Sequence, residues 1–121
     1  MKKLTLDETW ELCLEIWRWV VREKKKRPEV DVWDLKLEWL AKFRPNDRLE
    51  CECYFCEYAG HRVSGDMCRN GWVGCPGKLV HRQFDCCAES YHFESRPAAF
   101  LRKLESLNKK RLAAKKEKPK T

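Results

Sequence analysis

No stretch of this chain offers the roughly 18 consecutive apolar residues that a bilayer-spanning helix needs, which excludes a channel or a membrane anchor of that kind. A secretory-type apolar stretch is also missing. Asp7, Glu8, Glu11 and Glu15 interrupt the region after Met1-Lys2-Lys3, so the chain is expected to stay in a reducing compartment, the cytoplasm. With 121 residues there is too little chain for a multi-domain enzyme or a solenoid of several repeats. Histidine is scarce, with only three residues, His61, His81 and His92. Each lies near a cysteine, but an exposed or packed imidazole is the simpler account of each.

Cysteine, in contrast, is abundant. Eight cysteines in a reducing compartment call for something other than disulfides, and seven of them fall within residues 49–93 together with all three histidines. This segment contains no long periodic apolar pattern, so its order has to come largely from cross-links. Cys53 and Cys56 form a C-x2-C pair, the spacing at which two thiolates on a tight turn bind one tetrahedral ion. The expected quartet is Cys53, Cys56, Cys75 and Cys87 around a zinc ion, with Cys68 and Cys86 as substitutes. Four cysteines would also suit an iron–sulfur cluster, and two ions are the further alternative. Cys13 belongs to a helix face and reads as packing.

The rest of the chain reads as helix. Thr5 followed by Glu8 fits a capping box and opens a segment running to Lys26, where four cationic residues and Pro28 end it. Leu6, Trp10, Cys13, Leu14, Trp17, Val20 and Val21 share one arc. Leu12, Ile16 and Trp19 form a second, narrower stripe. A wide buried face is the simpler account of it, and a contact for a protein partner, with Trp72 as a further anchor, is the sharper one. Asp31 caps a second helix through Phe43, with Val32, Leu35, Trp39, Leu40 and Phe43 on one side. The alternation Leu35-Lys36-Leu37-Glu38-Trp39 would suit a strand equally well. Phe100, Leu101, Leu104 and Leu107 define a third helix over 96–112, docked by its first half, with residues 113–121 as a fraying basic tail. The expected architecture is therefore a small α-rich, metal-stabilised domain over 1–95, α+β being the variant, followed by a basic C-terminal helix.

Charge is segregated. Residues 102–121 carry nine Lys or Arg against two Glu, whereas residues 1–101 are balanced. Arg102, Lys103, Lys109, Lys110, Arg111, Lys115 and Lys116 are candidate contacts for nucleic-acid phosphates, and a solvated tail is the simpler account.

Enzymatic motifs fail where they are tested. A phosphate loop ending at Gly77-Lys78 would need glycine at Trp72 and Ser or Thr at Leu79. His92-Phe93-Glu94 matches the H-x-E of zinc deaminases, but no cysteine follows Cys87. The chain is therefore expected to bind rather than catalyse.

Cys53-x2-Cys56-Glu57-Tyr58-Ala59, Cys75-Pro76 and Cys87 followed by Ser90-Tyr91 and Phe93, after a Trp-rich helical start, resemble the small cysteine-rich proteins encoded by tailed bacteriophages. The resemblance spans roughly residues 5–95 and implies zinc binding and a phage origin, hence a host protein as partner. It departs from the family pattern at the second pair, since Cys68 and Cys75 are separated by six residues instead of two, and in the basic C-terminal extension.

Overall fold

The computed structural model describes residues 4–47, 54, 55, 58, 76–81, 84, 86 and 88–117. Their elements are helix α1 (Leu6–Lys26), α2 (Val32–Phe43), a five-residue helix α3 (Pro76–Val80), a 3-10 turn (Glu89–Tyr91) and helix α4 (Pro97–Glu117). Among the described residues there is no strand, and the Leu35–Trp39 alternation lies inside α2.

Helices α1 and α2 start where a side chain satisfies their first N–H groups. The Thr5 hydroxyl accepts from the Glu8 N–H at 3.1 Å, and the Glu8 carboxylate accepts from the Thr5 N–H at 2.9 Å. Asp31 Oδ1 accepts from the Trp33 N–H at 2.8 Å. Pro97 occupies the first position of α4, where its missing N–H costs nothing. Between α1 and α2 the turn is stitched from both sides. Lys24 donates to the carbonyls of Pro28 and Val30, and the Arg27 guanidinium bridges Glu23 at 2.8 Å and Glu38 at 3.1 Å.

Helix α1 packs against both α2 and α4, while α3 and the 3-10 turn pack against α4. Ion pairs fix the direction of α4: Arg18 meets Glu105, whereas Asp7 meets Arg111 and Lys115, so α1 and α4 run antiparallel. Being covered on two sides gives α1 a buried arc wider than a single contact would require. Trp10, Cys13, Leu14, Ile16, Trp17 and Val20 are all buried. They meet Leu35 and Trp39 from α2 and Phe100, Leu104 and Leu107 from α4 in one core. Each large apolar side chain there contributes on the order of 1.5–3 kcal/mol.

Three expectations change. Ile16 is a core residue, 2% exposed, and is withdrawn from the partner stripe; Leu12 and Trp19 are half-buried and packed against the core. Phe43, expected on the core side, is the last residue of α2 and is 51% exposed, with its ring 5.7 Å from that of Trp39. Helix α4 continues five residues past Leu112, held by contacts described below, and residues 118–121 lie outside the described set.

Candidate functional site

The expected ligands Cys53, Cys56, Cys75 and Cys87, the substitute Cys68, and Cys51, His61 and Trp72 lie outside the described residues. Their neighbours in the chain do not. Tyr54 and Phe55, the two residues between Cys53 and Cys56, are helical and 1% and 3% exposed. Pro76 and Gly77, which follow Cys75, are buried, as is Phe84 shortly before Cys86 and Cys87. Phe55, Gly77 and Phe84 belong to one aromatic layer on the helical body, and Tyr54 stands edge-on to Trp39 at 6.2 Å. Phe55 packs edge-on against Trp10 at 4.8 Å between ring centroids and lies 6.2 Å from Phe84. Phe84 in turn lies 6.0 Å from Tyr91 and 6.1 Å from Phe100. Gly77 passes so close to the Phe84 ring that a Cβ there would sit 2.5 Å from a ring carbon. Only glycine lets the two segments meet at that distance.

Polar pins reinforce the layer. The Tyr54 hydroxyl donates to Asp47 Oδ2 at 2.8 Å, and Arg44 Nε donates to the same oxygen at 2.8 Å. Burial, together with the hydrogen bond to Asp47, pushes the Tyr54 hydroxyl above its ordinary pKa. Cys86 is half-buried against the core, and its carbonyl accepts from the Phe93 N–H at 3.1 Å. Of the histidines, His81 is half-buried with its backbone bonded to Gly77 and Phe84. His92 stacks on Phe93, and its Nδ1 accepts from the Glu94 N–H at 3.1 Å. Among the described residues no three Cys, His, Asp or Glu side chains are grouped as a metal centre requires.

Two features went unread in the sequence. The first is Lys36, a buried lysine whose ammonium lies 4.7 Å from the Trp33 ring centre, 5.4 Å from that of Trp17 and 5.7 Å from that of Phe93. Three segments thus supply one aromatic cage. Its signal was visible, since on the α2 wheel Lys36 falls between Val32 and Leu40, inside the apolar arc.

The second is a clasp at the far end of α4. Arg111 stacks over Trp10, its guanidinium carbon 5.3 Å from the ring centre, and bonds both Asn108 and Asp7. Lys115 reaches the other Asp7 oxygen at 3.0 Å. The two cations hold the Asp7 carboxyl below its ordinary pKa. Beneath them Trp10 Nε1 is buried and has no hydrogen-bond partner among the described residues.

The clasp divides the candidate phosphate contacts. Arg111 and Lys115, both named as candidate phosphate contacts, are paired with Asp7 within the fold. Lys103 lies over the Tyr91 ring at 5.3 Å. Arg102, Lys109 and Lys110 are exposed, and the Lys116 side chain lies outside the described set.

Comparison of the chain with protein-family models, curated proteins and solved structures finds no match. Among the described residues no helix is long and apolar enough to cross a membrane.

Proposed function

We propose that this chain is a non-catalytic, zinc-stapled interaction module of phage type that binds a protein of its bacterial host, in the host cytoplasm, and modulates or inhibits it. The observation that carries the reading is the aromatic layer. Tyr54 and Phe55 between Cys53 and Cys56, Pro76 and Gly77 just after Cys75, and Phe84 two residues before Cys86 are all buried against the helical body, which supports a common platform beneath the thiols. A tetrahedral ion held by four thiolates would lock loops that have little apolar surface of their own. In this reading the zinc is structural and the chain's work is recognition.

The contact surface is drawn from exposed apolar side chains. With Ile16 in the core, Leu79 on α3 and Phe43 at the end of α2 take over from the stripe, being 56% and 51% exposed. The test uses the full chain. Elemental mass spectrometry should find one zinc, retained in Cys13→Ser and lost in Cys53→Ser/Cys56→Ser. Immobilised protein should capture a discrete host protein from bacterial lysate, and Leu79→Ala/Phe43→Ala should capture none while melting like wild type. Zinc retained without Cys53 and Cys56 rejects the staple, and capture unaffected by the apolar pair rejects the surface.

A further inference from the structure

The clasp leaves a defined set of cations uncommitted. Arg18 on α1 bonds Glu105 on α4 at 3.1 Å, and the two helices run antiparallel. One turn beyond that pair, Arg22 follows on α1 and Arg102 on α4, placing the two side by side at the end of the layer. Lys25 continues the α1 ridge, and Lys109 and Lys110 continue the outer face of α4, about 10.5 Å from Arg102 at 1.5 Å rise per residue. All five are exposed, and among the described residues none is ion-paired or hydrogen-bonded to a carboxylate. Around Arg22, Lys25 and Arg102 two carboxylates are already paired with other cations: Glu105 with Arg18, and Glu23 with Arg27 and Lys26. Glu11 and Glu15, also exposed, lie on the N-terminal half of α1, alongside the turns of α4 that carry Lys109 and Lys110, so positive charge is least opposed at Arg22, Lys25 and Arg102.

We propose that the cationic end formed by Arg22, Lys25 and Arg102, extended along α4 by Lys109 and Lys110, binds the phosphate backbone of duplex DNA. The chemistry of the face favours a polyphosphate over an acidic protein. Between Arg102 and Lys109 on the outer face of α4 stand Glu105, bonded to Arg18, and exposed Ser106, with no aromatic side chain to fill a partner's pocket. Protein interfaces take most of their energy from such anchors, whereas phosphate contacts need only charge and hydrogen-bond donors. The site is separate from the apolar surface proposed for a host protein, so either can fail alone.

The test is a salt titration of binding to a short fluorescent DNA duplex by anisotropy. Five phosphates neutralised give a slope of log affinity on log salt of about −4.5, a loss of about 500-fold between 50 and 200 mM salt. In Arg22→Gln/Lys25→Gln/Arg102→Gln the slope should fall to about −1.8, and the loss to about 12-fold. Arg22→Gln/Lys25→Gln, which leaves α4 untouched, should reach about −2.7, and Arg22→Lys/Arg102→Lys should keep the wild-type slope. Lys42→Gln, an exposed cation on α2, should leave it unchanged. The proposal is overturned if wild type fails to bind at low salt, or if the triple variant keeps its slope. It is equally overturned if Lys42→Gln lowers the slope like the others, or if polyglutamate competes as well as DNA at equal charge.

Discussion

Replacing Lys36 by methionine asks whether three aromatic rings can hold a buried ammonium in place. Burying an ammonium costs several kcal/mol even after the protein relaxes. Against that stand three ring contacts at 4.7–5.7 Å, each worth up to about 2 kcal/mol when water is excluded. Methionine keeps an unbranched apolar stem of similar length and gains weak sulfur–aromatic contacts of about 0.3–1.5 kcal/mol, so it tests the charge and spares the packing. If the rings prevail, Lys36→Met lowers stability by about 1 kcal/mol, a fall of about 4 °C in Tm for a domain of this size. Lys36→Ala also loses three buried methylenes at about 0.8 kcal/mol each and leaves a cavity, for a total of about 3–5 kcal/mol. Urea unfolding followed by circular dichroism measures both, with an unchanged m-value as the check on two-state behaviour. A double-mutant cycle with Phe93→Leu should return a coupling of about 0.5–1.5 kcal/mol between ring and ammonium. If Lys36→Met is as stable as wild type or more so, desolvation outweighs the rings and the cage is not what keeps Lys36 inside.

Other consequences concern the clasp and the platform. Asp7→Asn should cost less than about 1 kcal/mol near neutral pH, because half of the carboxylate surface faces water. Since Asp7 is depressed in the folded state, its contribution is present above the ordinary carboxylate value of 3.8 and lost as pH falls below it. An acid titration of Tm should therefore show a smaller drop in the variant. Tyr54 is shifted upward, so the native state holds its proton above pH 10.0, where the unfolded chain releases it. Wild type should lose stability above that pH, and Tyr54→Phe, about 0.5–1.5 kcal/mol less stable at neutral pH, should lose less of it there. Gly77→Ala forces a methyl group into the Phe84 ring and should destabilise by about 1–3 kcal/mol in a thermal melt, with Phe84→Leu partly restoring the fit.

How much of this could be read from the sequence depends on how local the cause was. Helix starts were legible because Thr5 with Glu8, Asp31 and Pro97 act on backbone groups within a turn of themselves. The width of the α1 core was not, since Ile16 is buried only because α2 and α4 cover α1 from two directions. Phe43 carried the right period but stands at the last position of α2, where it is exposed. The extension of α4 beyond Leu112 depends on Arg111 reaching Asp7, a bond spanning 104 positions that no local pattern announces. Lys36 shows the opposite case, a charge inside an apolar arc, where the anomaly was local and the explanation lay in Trp17 and Phe93. For the cysteine segment, spacing suggested the ligands but not what surrounds them. The burial of Tyr54, Phe55 and Phe84 supplies that platform, and the ligand set itself remains a proposal.

The most direct measurement is the thermal melt of the purified full chain with and without a strong chelator, alongside its zinc content. The account predicts one zinc per chain and a Tm that falls by many degrees as the metal is withdrawn and recovers when zinc is returned. A chain that contains no metal and melts cooperatively at the same temperature in chelator would contradict it.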